Sequence, residues 1–201
     1  MFWFDKADPR CLYVDKREGE RAMDIGTPHT KGRTPAVVAP DRIADFTALP
    51  FPSDTFLHVV FDPPHLNRVA GTGFIAFKYG KLPDDWRDML RRGFAECFRV
   101  LRPGGTLVFK WCEVEIPLRD VLALTPEKPM YGHRTGKKQL THWVAFLKPN
   151  VDVEGARPAA GRSYLRTSCW MSLAFSSLNP VESKTTWYFC GFVPSCPSNR
   201  M

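Results

Sequence analysis

What this chain lacks narrows it first. Its 201 residues contain no apolar run approaching the ~20 that a bilayer-crossing helix needs. The opening residues, MFWFDKADPR, carry acids early and no small-residue cleavage site, which is not the pattern of a secretory signal. Together these absences predict a cytoplasmic chain with no membrane partner. The six cysteines, Cys11, Cys97, Cys112, Cys169, Cys190 and Cys196, make no C-x-x-C pair. They also lack the framework of a small secreted scaffold, so free thiols in a reducing compartment are expected. No His, Cys and Asp set has metal-ligand spacing, so no metal is expected. No Ser-His-Asp arrangement is evident, and no internal repeat is seen.

What remains is ordinary in bulk. A hydrophobic share of 44% suits a chain that buries a core. The length suits one domain of about 150 residues with an appendage. A net charge of +7 makes nucleic acid the first partner class to test, although the same balance also serves solubility.

The informative stretch runs from Asp41 to His65, DRIADFTALPFPSDTFLHVVFDPPH. Phe56 to Phe61 is a short apolar run of the kind that forms a buried parallel strand. Asp62-Pro63-Pro64-His65 must end it, because two successive prolines cannot donate to a ladder. A carboxylate, two carbonyls without a competing local N–H and a flat ring are thereby placed at the carboxyl end of a strand. Ligands of open α/β sheets bind at such ends. The alternative is a strand-ending turn with a capping acid.

Around that centre, Arg10 to Asp15 and Arg42 to Asp45 read as short strands closing on acids, with residues 16 to 40 a long irregular connection. Asn67 to Leu82, with three glycines and interleaved aromatics, reads as a loop able to close over a site. From Trp86 to Leu101 the apolar residues recur at three and four, an amphipathic helix that Pro103-Gly104-Gly105 should stop. Thr106 to Trp111 reads as a strand and Ile116 to Leu124 as a helix. Met130-Tyr131 and Thr141 to Leu147 read as strands joined by a basic turn, Gly132 to Gln139. The order predicts an α/β fold, a doubly wound and mostly parallel sheet with an antiparallel edge hairpin. The domain is expected over 1–148. Residues 149–201, rich in Ser, Pro and Cys, are expected to be an irregular C-terminal extension.

Read together, the acids at Asp15 and Asp45, the run LPFPSDTFLHVVFDPPH and the later ECFRVLRPGGTLVFKW resemble the class I S-adenosylmethionine-dependent methyltransferases. The DPPH tetrad is similar to the D-P-P-Y type motif of amino-methylating DNA methyltransferases. The likeness extends to small phage and prophage enzymes through MFWFDK, FDPPHL, LRPGG, GHRTGKK and THWV. It covers residues 1 to about 148 and implies a Rossmann-like methyltransferase domain.

The resemblance implies roles residue by residue. Asp62 and the Pro63 carbonyl would hold the hydrogens of an exocyclic amine, with Pro64 fixing the corner. His65, where the family more often carries a larger ring, would stack on the base. Asp15 would bond the cofactor ribose, and Asp45 and Phe46 would contact its adenine. Arg134, Lys137 and Lys138, with His133, would hold phosphates. Each has a plainer alternative: a turn acid, a core ring, a solvated charged turn. The implied activity is methyl transfer to an amino group of nucleic acid, adenine N6 of DNA in the first instance. A small-molecule or protein amine is the alternative substrate, and an inactive remnant that binds nucleic acid the alternative protein.

One departure is expected to matter. The family carries a first strand and a Gly-containing cofactor loop ahead of the segment matching Met1-Phe2-Trp3, and no G-x-G pattern here replaces it. Gly71-Thr72-Gly73 follows the reaction centre instead. The missing strand belongs centrally, between the strands ending at Asp15 and Asp62. The expectation is therefore a native start upstream of Met1, or a weakened remnant.

Overall fold

The structure, a computed structural model, describes residue 5 and residues 7–21, 35–69 and 73–150, with the backbone of 189–192. The run Phe56–Phe61 forms strand β5, with Phe56, Val59 and Phe61 buried. It pairs in parallel with the strand Leu101–Cys112, β6. Helix α2, Trp86–Val100, lays Met89, Leu90, Phe94 and Cys97 into the core, the stripe that spacing of three and four produces. Phe94 packs on Phe61, Phe109 and Phe146 with ring centroids 5.4, 4.9 and 6.2 Å away. Gly93 permits the approach of the helix: a Cβ there would come within 2.8 Å of the Phe46 and Phe61 rings.

Helix α2 ends at Val100, but Pro103-Gly104-Gly105 does not form a loop. Strand β6 runs through it, with Gly104 at a φ of +73°. Lys148 secures this junction. Its backbone accepts from Gly104 N–H at 2.8 Å, and its Nζ donates to the Phe98 and Leu101 carbonyls at 2.8 and 2.6 Å. The cation thus sits where the helix leaves carbonyls without partners.

The remaining elements are β1 (Cys11–Asp15), β2 (Gly19–Arg21), β3 (Ala36–Val38), β4 (Arg42–Ile43), α1 (Phe74–Tyr79), α3 (Leu118–Leu122), β7 (Tyr131–Thr135), β8 (Thr141–Leu147) and β9 (Phe189–Phe192). Seven strands form one sheet in the order β4-β1-β9-β5-β6-β8-β7, and β2 and β3 form a separate antiparallel pair. The fold is α/β with a mixed sheet, parallel at β1–β4 and β5–β6 and antiparallel where β9 meets β1 and β5 and at the β6–β8–β7 end. Among the described residues no helix is long and apolar enough to cross a membrane.

Four expectations need correction. The connection over 16–40 is not wholly irregular, since it contributes β2 and β3, and the loop after the DPPH tetrad holds α1. The basic turn is shorter than its charges suggested. Strand β7 extends to Thr135, so His133 and Arg134 stand on a strand and Lys137 and Lys138 on the turn. Most consequentially, the sheet has no gap between β1 and β5. Strand β9, from the C-terminal extension, lies there antiparallel to both, Phe189 pairing with Val14 and with Phe61. Ladder bonding depends on the backbone, so a strand from any part of the chain can complete a row of unpaired groups.

Candidate active site at the carboxyl edge of the sheet

The register sets the geometry. Because Val14 and Phe61 share the partner Phe189, the next residues, Asp15 and Asp62, lie two strand spacings apart, about 10 Å. Strand β4 runs parallel to β1, with Asp15 opposite Ile43, so Asp45 emerges on the same edge. The three acids singled out in the sequence therefore share one rim of the sheet.

Asp62 is 6% exposed, and its Oδ2 accepts a 2.6 Å hydrogen bond from Lys110 Nζ. Burial pushes its carboxyl above the usual range, and the Lys110 cation offsets part of that rise. Lys110 stands directly across from Trp143 on β8, its ammonium 5.7 Å from the indole centroid. Pro63 and Pro64 are buried. His65 is half-buried, and its ring meets Trp111 edge-on at 6.3 Å. Burial lowers its pKa, with Asp62 opposing, which favours a neutral ring. The chain beyond is tied down: Glu115 accepts from the Asn67 and Arg68 amides at 2.6 and 3.2 Å, and Leu82 N–H donates to Leu66 O at 2.8 Å.

Asp15 is 1% exposed and gripped by Arg17, whose Nε and Nη2 reach its two oxygens at 3.1 and 2.8 Å. Burial raises the Asp15 pKa and Arg17 offsets only part. Arg17 also donates to the Phe77 carbonyl, fastening α1 over this end of β1. Asp45 is half-buried and accepts from the Thr47 N–H and hydroxyl at 2.9 and 2.8 Å. Burial works to raise its pKa, but the Thr47 donors and Lys16 together outweigh that and hold it below the usual range. Phe46 is 2% exposed and packs edge-on to Phe61 at 5.2 Å. Its ring belongs to the core and presents no open face to the rim.

A second group lies further along the rim. Glu113, just past β6, has Oε1 2.8 Å from His142 Nε2 and Oε2 accepting from Leu118 N–H at 3.2 Å. The imidazole beside it and the Leu118 amide hold its carboxyl low. His142 is 5% exposed. Its Nε2 is close to the carboxylate but off the line of a hydrogen bond, and has no other bonding partner. Arg134 stands opposite His142 on β7 and is exposed. Among the described residues, no group of three or more His, Cys, Asp or Glu side chains is placed to hold a metal.

Sequence reasoning brought Asp15, Asp45 and the DPPH corner to one edge but missed Lys110, Arg17, Glu113 and His142. Lys110 left a signal, the one charge inside the apolar run TLVFKW. His142 left none, and only the strand register reveals its neighbours.

No protein-family model matches the chain, and no curated protein matches it. Among solved structures, the PH0226 protein of Pyrococcus horikoshii OT3 is similar at 14% identity and a TM-score of 0.36. The alignment covers 52% of this chain and 57% of that one. At that score the likeness carries no argument about activity.

Proposed function

We propose that this chain is an S-adenosylmethionine-dependent methyltransferase domain acting on an exocyclic amino group of nucleic acid, adenine N6 of DNA first. The observation that supports it is the Asp62-Pro63 corner, where a buried carboxylate has one oxygen held by Lys110 and the other left for a substrate. An exocyclic amine is a weak nucleophile because its lone pair is spread into the ring. Donating one N–H to Asp62 Oδ1 and the other to the Pro63 carbonyl draws the nitrogen towards tetrahedral geometry and frees that pair. Pro63 and Pro64 offer no N–H to compete. His65 supplies a neutral face to the base, which must be unstacked to reach the corner. As the N–CH3 bond forms and the S–CH3 bond breaks, the nitrogen sheds a proton. Asp62, its affinity for protons raised by burial, is placed to take it.

Two acids on the rim with Asp62 suit an adenosine group. Asp45 is open to it, whereas Asp15 serves a ribose once Arg17 yields. When bound, the cofactor supplies the activated methyl, and these residues only seat and orient it. Arg134, Lys137 and Lys138 provide cations for the strand's phosphates.

Tritiated-methyl transfer to DNA, with cofactor binding measured separately by calorimetry, tests the reading. Asp62→Ala should abolish transfer and leave cofactor affinity within about threefold; transfer that persists sinks the assignment. A second reading, a nucleic-acid-binding protein without catalysis, is favoured by the Arg17 grip on Asp15 and by β9 filling the slot beside it. It predicts salt-dependent oligonucleotide binding with no calorimetric response to S-adenosylmethionine. If affinity for DNA ignores salt, the substrate amine belongs to a small molecule or protein instead.

A further inference from the structure

The edge of the sheet at β7 carries a block of charge of one sign. From Lys128 to Asn150 there are five lysines and arginines and no acid, and most of this stretch is the β7–β8 hairpin. We infer that the hairpin face shared with Asp62 is a docking surface for an unpaired nucleic-acid strand. Tyr131 and His133 stack on its bases, and Lys128, Lys137 and Lys138 hold its phosphates. The inference deepens the nucleic-acid half of the proposed function and does not depend on methyl transfer.

Position is the first support. Side chains of a strand alternate between the two faces, so the register decides which residues look the same way. Phe61 pairs with Phe109, which sets Asp62 beside Lys110; Lys110 pairs with Trp143, and Trp143 with His133. One row on one face thus runs from the Asp62 corner to the sheet edge, three strand spacings or about 14 Å. Tyr131, two residues before His133 and opposite Ala145, lies on the same face. Helix α2 packs on the other one, through Phe94 on Phe109.

The second support is exposure. Tyr131 is 70% exposed, and His133 is exposed as well. Charges alone suffice to keep an edge strand from pairing with other chains, and they give no reason to hold a large ring in water. Stacking on bases does, because every base offers a π face. Trp143, half-buried between His133 and Lys110, donates its indole N–H to Thr135 Oγ1 at 3.1 Å. That bond fixes a third ring at the inner end of the track.

Spacing then selects the form of the strand. Tyr131 and His133 stand about 7 Å apart along β7, twice the ~3.4 Å rise of one strand in a duplex. Neighbouring bases that reach both rings must separate from each other. Lys128 precedes β7, and Lys137 and Lys138 follow it, so cations bracket the rings. All three are exposed and make no ion pair among the described residues. Lys148, by contrast, is engaged with Asp54 and the end of α2, and Arg134 alternates to the other face.

The test uses the full chain and three fluorescent ligands, titrated by anisotropy across a salt series. They are a single-stranded oligodeoxynucleotide of eight nucleotides, its duplex, and an abasic oligomer of the same length. Tyr131→Ala/His133→Ala should weaken the single strand ten- to hundredfold, the loss of two stacked bases. Its slope of log affinity against log salt should stay the same, and so should its affinity for the duplex and for the abasic oligomer. Tyr131→Phe, which keeps the ring, should bind the single strand within about twofold of wild type. Lys137→Gln/Lys138→Gln should weaken both single-stranded ligands and flatten the slope by about 1.4, the value for two phosphates of a single strand. Arg91→Gln/Arg92→Gln, on the exposed side of α2, should change nothing.

A ring variant that binds the single strand like wild type overturns the inference. So does one that weakens the abasic oligomer equally, because the rings would then act through the fold. Wild type that holds polyglutamate as tightly as the oligonucleotide assigns the surface to an acidic polypeptide and overturns the strand as occupant. If the ring variant fails these tests while DNA methylation proceeds, the methyltransferase reading survives. If the ring and lysine variants behave as expected while no methyl is transferred, the docking surface stands and the enzyme reading falls. If wild type binds no oligonucleotide, both nucleic-acid proposals fall.

Discussion

The two halves of the sheet are built on different terms. On one side β5, β6 and β8 pair over long runs, β6 with β8 from Thr106 opposite Leu147 to Cys112 opposite Thr141, and α2 seals their face with aromatic rings. On the other side, among the described residues, β1 pairs with two residues of β4 and is joined within the sheet to β5 through the four residues of β9. The first half is held by long ladders and aromatic packing, the second by short ladders and by side chains such as Val14 and Phe46 that reach the same core. Asp62 and Lys110 belong to the strong half, whereas Asp15 and Asp45 belong to the weak one. A substrate corner can therefore be rigid while the proposed cofactor rim is conditional on a strand supplied from the C-terminal extension.

The largest expected effect falls on the strong half. Phe94 is 1% exposed and touches three rings, so Phe94→Ala should cost about 3–5 kcal/mol. Because the whole sheet leans on that face, chemical denaturation should show one transition at much lower denaturant. Survival of a folded β1 region after the β6–β8 region is lost, seen by hydrogen exchange, would break the comparison.

Gly191→Pro comes next. In a central strand proline removes a ladder donor and crowds its neighbours, a change of about 3 kcal/mol or more in regular structure. Here the damage should stay local. Amide protection should vanish over Cys11–Asp15 and persist over Thr141–Leu147. Equal loss in both would mean that β9 is not a separable piece and that the halves are one cooperative unit.

This asymmetry also explains what could be read from the sequence. The strand at Phe56–Phe61 and the helix from Trp86 were legible because burial writes a local period into apolar residues, and Asp62-Pro63-Pro64 marks its own end. Strand β9 was not legible. Its place between β1 and β5 depends on backbone groups those strands leave unpaired, and nothing in Phe189-Cys190-Gly191-Phe192 names them. The Glu113–His142 contact was hidden for a related reason, since only the antiparallel register of β6 with β8 brings the two together. The edge shared by Asp15, Asp45 and Asp62 was legible because it follows from where parallel strands end. Phe46, adjacent to one of those acids, packs on Phe61 in the core, and sequence adjacency does not say which side of the chain faces it.

Lys110→Met sharpens the account within the strong half. Removing the cation leaves Asp62 buried and unpaired, so its carboxyl should rise further above the ordinary range. A carboxyl raised in the folded state binds protons more tightly there than when unfolded. Stability is then fullest below the unfolded value and falls as pH climbs towards the folded one. The variant should lose about 1–3 kcal/mol at neutral pH, below the ~3–5 of a fully buried broken pair because Lys110 retains some exposure. That loss should shrink as the solution is acidified. In an active chain the acid limb of methyl transfer should move to higher pH. A loss independent of pH would mean that the lysine acts by packing on Trp143 and not through its charge.

Asp45→Asn should have the smallest effect on stability. The carboxylate accepts two bonds from Thr47, and an amide oxygen can keep both, so the loss should stay within about 0.5–1 kcal/mol. Its pKa is held low in the folded state, so the contribution is present above the unfolded carboxylate value and disappears as pH falls through the folded one. Wild type and variant should thus converge in strong acid. The same substitution should weaken S-adenosylmethionine binding at least tenfold if Asp45 takes the adenine amino group, since an amide accepts less strongly than a carboxylate. Unaltered affinity, with the small stability change still present, would leave Asp45 as a turn acid of the weak half and remove it from the cofactor rim.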